Sequence, residues 1–300
     1  MKSIIKRVLK RLVTRQVSVN SVSEIIDAYK TAGSVPWSIG YHEYKWLLIE
    51  NAINNIGILH DFKNEQLADG YGKSVDERVV EYPWLLSRLS PGIGKLLDAG
   101  STFNFQQILQ NPILNKKDIF IFTYYPEDNN FSKKSISYIY GDLREMAFKH
   151  DYFDEVVCHS TLEHIDMDNS MYGYEVAHQQ DKQIKSYEYI NVIRELERVV
   201  KPLGKILLTF PYGKFENHGF FQQFDQEMVQ RIGDTVLPTC SITISFAKYE
   251  LGGWNFASQT DCENALSYNP HTGKGKGDDN AAHSRAICFI EIIKNKQSEF

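Results

Sequence analysis

The chain is sparing with cysteine: Cys158, Cys240, Cys262 and Cys288 are all it has in 300 residues, and none forms a CxxC pair. Such spacing supports neither a zinc site nor a disulfide framework and fits a reducing cytoplasm. No stretch approaches the ~18–20 apolar residues needed to span a bilayer. The N-terminus lacks the apolar region and small-residue cleavage site of a secretory signal. A cytoplasmic protein is therefore expected. GxGxxG and GxxxxGK are both missing, which disfavours pyrophosphate ligands and a nicotinamide oxidoreductase. Basic stripes with interleaved aromatics are missing too, so no nucleic-acid partner is expected. No metal is expected either, Asp166 and Asp168 being the only pointer toward one.

What is present is an ordinary globular composition, 42% apolar and 24% charged with a mean hydropathy of −0.37, enough to build a substantial core. The formal net charge of −5 divides into +6 on residues 1–15 and −11 on the rest. Lys2, Lys6, Arg7, Lys10, Arg11 and Arg15 alternate with Ile4, Ile5, Val8, Leu9, Leu12 and Val13 at helical spacing. A basic amphipathic helix of this kind suits peripheral contact with an anionic membrane, or packing on a partner or its own domain. Residues 16–90 read as a helical, aromatic-rich extension, ended by Pro83 and Pro91.

Beyond residue 90 the pattern alternates. Residues 95–98 (KLLD), 118–123 (DIFIFT), 135–140 (SISYIY), 154–159 (DEVVCH) and 205–210 (KILLTF) read as strands. A helix is expected to begin at 105–109. Residues 184–200 carry a helical period, stopped by Lys201, Pro202, Leu203 and Gly204. Two further strands are expected at 241–249 and 286–294, separated by a glycine-rich polar stretch whose residues 271–279 form a lid or surface loop. Strands alternating with helices imply a parallel sheet whose ligands lie outside the carboxyl strand ends.

Two such ends carry chemistry. The first strand closes on Asp98, Ala99, Gly100, Ser101 and Thr102, where glycine lets the backbone approach a ligand. The fourth runs into Ser160, Thr161, Leu162, Glu163, His164, Ile165, Asp166, Met167, Asp168 and Asn169. His164 is the candidate general base, since imidazole titrates near working pH. Glu163, Asp166 and Asp168 can orient it or bind substrate hydroxyls. The bland alternative is a solvated loop.

Four segments in order, 95–101 (KLLDAGS), 141–148 (GDLREMAF) with 153–157 (FDEVV), 160–165 (STLEHI) and 194–211 (RELERVVKPLGKILLTFP), resemble class I S-adenosylmethionine-dependent methyltransferases of the type 11 kind. Residues 76–84 (DERVVEYPW) and 211–214 (PYGK) are similar to a subgroup found with bacterial surface-polysaccharide genes. The resemblance implies S-adenosylmethionine as cofactor. Asp98, Gly100 and Ser101, followed by Thr102, would hold its methionine and ribose portion. Asp142 and Leu143 would meet the adenine edge. Ser160 and Thr161 through Glu163 and His164 would line the floor between cofactor and acceptor. For a hydroxyl acceptor His164 is the first candidate base and His218 the second, the latter otherwise a surface-loop histidine. The chain departs from the pattern where Thr102, Phe103 and Asn104 replace glycines. The second strand also ends without an acid, in Thr123, Tyr124, Tyr125 and Pro126, with Glu127 the first carboxylate beyond. Thr123 can accept one ribose hydroxyl bond, more weakly than a carboxylate.

The fold expected is α/β and Rossmann-like: an N-terminal helical extension over residues 1–90, then a methyltransferase domain over 91–300. Its sheet has seven strands, mostly parallel, with a C-terminal antiparallel pair. The function expected is methyl transfer to a hydroxyl of a sugar or glycan precursor in surface-polysaccharide biosynthesis, the acceptor being a small molecule or glycan. The alternative is a silent binding or scaffold module on the same fold. The aromatics Trp37, Tyr41, Tyr44, Trp46, Trp84 and Trp254 suit either sugar stacking or a core.

Overall fold

The computed structural model describes residues 21–134, 136–170, 184–237 and 239–296. The basic segment at residues 1–15 lies outside them. Among the described residues no helix is long and apolar enough to cross a membrane.

Five strands run parallel in the order β3-β2-β1-β4-β5: β1 Gly94–Ala99, β2 Lys117–Thr123, β3 Ser137–Tyr140, β4 Phe153–His159 and β5 Val200–Pro211. The sheet continues antiparallel through β10 (Ala286–Lys294), β8 (Cys240–Glu250) and β9 (Gly253–Ala257). Side chains of a strand alternate between faces, and each face here has its own core. Leu97, Ala99, Phe122, Val156, Cys158, Leu208 and Cys288 pack on one side, against the later helices. Leu96, Ile121, Val157, Leu207, Ile287 and Phe289 pack on the other, against the N-terminal extension.

That extension is built from α1 (Val22–Thr31), α2 (Tyr41–Ile53), α3 (Ile56–Lys63) and α4 (Arg78–Arg88). Ser21 and Glu24 form a reciprocal capping box at the start of α1. In α4 every residue from Val79 to Leu86 is buried, because the helix lies between the sheet and its companions. Pro83 was expected to end the extension but sits inside α4. Proline cannot donate to the carbonyl four residues back, and the Tyr71 hydroxyl does so instead, 2.7 Å from the Val79 oxygen.

Other expectations shift. The sheet has eight strands, not seven, because β9 adds a hairpin on β8 within the stretch expected to be irregular. Gly253 (φ 119) allows it, since a Cβ there would lie 2.5 Å from the Tyr71 carbonyl oxygen. The helix expected from 105 is a single turn, α5 (Gln106–Leu109). The later one is α6 (Tyr189–Val199), shorter than 184–200, and β5 starts at Val200, before the proline. The left-handed residue at that junction is Leu203 (φ 63), not Gly204. Gly204 is needed for close approach, since a Cβ would stand 2.8 Å from the Lys201 oxygen and 2.9 Å from that of Asp154. Helices α7 (Gln226–Val236) and α8 (Gln259–Cys262) complete the α-helices of the described residues, with two-residue strands β6 (Glu216–Asn217) and β7 (Gln222–Gln223) forming a separate hairpin.

Connections leave β1 toward β2 on one side and return to β4 on the other, so the switch of strand order lies between β1 and β4. A crevice opens there, at the carboxyl strand ends.

Candidate functional site

A cavity of about 470 Å³ fills that crevice. Gly100, Thr102, Thr123, Asp142, Leu143, Ser160, Thr161 and His164 all line it, so the structure brings these expected residues together from four strand ends. Gly100 (φ 122) has no room for a side chain: a Cβ would fall 2.0 Å from Thr161 Oγ1. The absence of a Cβ lets the β1 and β4 loops meet and leaves a cradle of bare backbone.

Asp98 and Ser101 stand behind the lining. The Asp98 carboxyl accepts from the Thr102 and Phe103 amides at 3.1 and 2.8 Å and from Thr102 Oγ1 at 3.3 Å. It shapes the loop from within, fully buried, and burial pushes its pKa up to about 7 despite those donors. Ser101 Oγ donates to Glu127 Oε2 at 2.8 Å, and Asn104 Nδ2 donates to the same oxygen at 3.1 Å. Thr123 Oγ1 reaches Glu127 Oε1 at 3.4 Å. Glu127 itself lines the cavity. A carboxylate that the end of β2 lacks thus folds back to it from four residues further on. The signal was its rank as the first acid after the strand; its direction depends on a loop.

Asp142 is gripped by Arg144 through Nε–Oδ1 and Nη2–Oδ2 bonds of 3.0 and 2.7 Å. Burial works to raise its pKa, but the Arg144 bonds outweigh this and hold the carboxyl below its usual range. Phe122, Leu143 and Tyr124 supply apolar surface on that side.

The β4 side rests on a residue to which the sequence reading gave no role. Glu81 of α4 is fully buried. Its Oε1 accepts from Ser160 Oγ and Thr209 Oγ1, both at 2.7 Å. Its Oε2 accepts from Arg78 Nη1 at 2.7 Å and lies 3.0 Å from His159 Nε2. These donors outweigh burial and keep the carboxyl well below its ordinary pKa. The extension thereby pins the ends of β4 and β5. A polar residue in an apolar helix was its only mark in the sequence.

His164 Nδ1 lies 2.7 Å from the Phe220 carbonyl oxygen, so that nitrogen carries the proton and Nε2 is the ring's acceptor. Burial lowers its pKa to about 4, keeping the ring neutral. Glu163 turns elsewhere, into an adjoining chamber of about 210 Å³ whose wall shares Arg78 and His164 with the larger cavity. Burial pushes its carboxyl up to about 8. His218 lines neither space. It sits on the loop between β6 and β7 with its side chain turned inward and buried, stacked on Phe221 with ring centroids 4.4 Å apart, its Nε2 3.5 Å from Glu216 Oε2.

Among solved structures the chain is similar to the YcgJ protein of Bacillus subtilis, at 11% identity over 69% of this chain and 94% of that one, with a TM-score of 0.43. It is similar to an S-adenosylmethionine-dependent methyltransferase of Methanosarcina mazei at 11% identity, covering 71% and 98%, TM-score 0.43. A third is the 1,6-didemethyltoxoflavin-N1-methyltransferase of Burkholderia thailandensis, solved with 1,6-didemethyltoxoflavin and S-adenosylhomocysteine bound, at 10% identity, 85% and 91% coverage and TM-score 0.40. No curated protein matches it. Residues 123–208, from the last residue of β2 into β5, match the family model of a methyltransferase domain. With the strand order, that match makes this a Rossmann-like methyltransferase fold.

Proposed function

We propose that the chain transfers a methyl group from S-adenosylmethionine to a hydroxyl of a sugar or glycan precursor. The observation that carries the reading is the close meeting of the Gly100 backbone with Thr161, and the Glu127 carboxylate lining the same cavity at the strand-order switch. Glu127, oriented by Ser101, Asn104 and Thr123, accepts from a vicinal diol such as that of ribose. Asp142, fixed by Arg144, and Leu143 meet the adenine. Gly100, Thr102, Ser160 and Thr161 hold the amino-acid portion, and Asp98 shapes their loop.

The cofactor supplies an electrophilic methyl on a sulfonium, displaced in line with both electrons of the C–S bond leaving on sulfur. The chain gains chiefly by alignment, which in well-oriented systems is worth up to about 7–11 kcal/mol. His164 takes the proton that the acceptor hydroxyl loses as its oxygen bonds to the methyl carbon. Its Nδ1 faces the Phe220 carbonyl, which leaves Nε2 as the ring's acceptor. The basic segment at residues 1–15 suits a site of action at an anionic membrane surface.

Calorimetric titration of S-adenosylmethionine and S-adenosylhomocysteine, beside Glu127→Gln, tests the reading. Micromolar binding of both, weakened by the substitution, is the expected result. Well-folded protein that binds neither would leave a scaffold module in place of an enzyme.

A further inference from the structure

The smaller chamber has a composition of its own. Trp37, Lys45, Asp76 and Glu77 come to it from the extension, Glu163 from the β4 loop and His283 from the segment before β10. Its cations are already matched. Lys45 Nζ lies 2.8 Å from Asp76 Oδ2, His283 Nδ1 3.1 Å from Glu77 Oε1, and Arg78 Nη1 2.7 Å from Glu81 Oε2. An anionic ligand would therefore have to displace an existing carboxylate partner, at the cost of leaving it buried and unpaired.

One group in the wall stays unsatisfied. Glu163 is 2% exposed, and its Oε2 has no hydrogen-bond partner among the described residues. A buried acceptor without a partner costs about 1–3 kcal/mol, which a donor from a ligand would recover. The remaining surface is aromatic. Phe220 lines one wall. The Trp37 indole is fixed by its Nε1–H bond of 2.8 Å to the Ala282 carbonyl and remains 40% exposed. Trp37 also holds a left-handed backbone (φ 66), a conformation that non-glycine residues adopt where the surroundings enforce it. Fixed aromatic surface plus a buried acceptor suits a ring with apolar faces and donor edges.

We propose that this chamber is the acceptor's compartment, taking a single monosaccharide-sized ring, uncharged or cationic, that donates a hydrogen bond to Glu163 and excludes anionic sugars. The assignment rests on the methyl-transfer reading only for the direction in which the ring presents its hydroxyl, across the wall of Arg78 and His164. The compartment itself stands on the geometry above.

The test is calorimetric titration of the full chain, with and without S-adenosylhomocysteine, using a neutral methyl hexopyranoside, a hexosamine and the corresponding hexuronic acid. The first two should bind and the acid should bind at least about tenfold more weakly. Glu163→Leu, which removes both carboxyl oxygens, should weaken the hexosamine by about tenfold or more and leave S-adenosylhomocysteine affinity unchanged. Trp37→Leu, at an exposed position, should weaken both sugars and is the second variant should the first misfold. Failure of all three sugars to bind, equal binding of the uronic acid, or indifference to both substitutions overturns the compartment. Sugar binding without S-adenosylhomocysteine binding upholds the compartment and overturns methyl transfer. The reverse result overturns the compartment alone.

Discussion

The two walls of the larger cavity are made by different means. On the β2 and β3 side, the carboxylates are partly exposed and their partners lie nearer in sequence: Asp142 meets Arg144 two residues away, and Glu127 meets Thr123, Asn104 and Ser101 across 4, 23 and 26 residues. On the β4 side, the contacts are buried and distant in sequence, with Glu81 reaching His159, Ser160 and Thr209 across 78, 79 and 128 residues. A local wall can be adjusted without disturbing the core, whereas the buried one cannot be altered without cost to the fold.

That contrast can be broken most forcefully at Glu81. Glu81→Ala leaves Arg78 without its buried partner, and removing one member of such a pair costs about 3–5 kcal/mol. Thermal or urea unfolding should show the loss, and an unchanged midpoint would mean the network is not a unit. On the local wall, Glu127→Ala should leave the unfolding midpoint nearly untouched while weakening S-adenosylhomocysteine by about tenfold to a hundredfold, the worth of hydrogen bonds to a charged group. Equal effects on binding and stability would erase the distinction between the walls.

A smaller effect sharpens it through pH. Glu163 and Asp98 have folded pKa values near 8 and 7, above their ordinary carboxyl values because both are buried. The folded state therefore holds protons that the unfolded state has released. Their contribution is full below the ordinary carboxyl range and is lost as pH rises through 7 to 8. Stability measured from pH 5 to 9 should fall, and Glu163→Gln should flatten part of that fall. Least of all should come from Arg144→Ala. This pair is about one-third exposed on both sides, and such pairs contribute about 0–1 kcal/mol.

The same contrast governs what could be read in the sequence. Strands β1, β2, β4, β5 and β10 were legible because their apolar runs are bounded by turn residues, and the polar ends of β1 and β4 marked the crevice. Legibility failed where a residue's role depends on a side-chain partner, near or far along the chain, that spacing does not announce. Glu81 looks unremarkable beside Val79 and Val80 until His159 and Thr209 arrive. Pro83 reads as a helix stop until the Tyr71 hydroxyl takes over the missing bond. His218 reads as a surface-loop residue until Phe221 stacks on it. Glu127 was visible as an acid beyond a strand, but which way a loop turns is set by hydrogen bonds that spacing does not encode.

The Trp37–Ala282 bond has a consequence for the order of assembly. It joins residues 245 positions apart, so this clasp of the acceptor chamber closes only once nearly the whole chain has been laid down. Loop closure delays such contacts relative to nearer ones. During refolding, the β1–β2 ladder should gain protection from hydrogen exchange before the Trp37 indole N–H does. A chain still emerging from the ribosome would accordingly have the first strands of the larger cavity laid down before the smaller chamber could close.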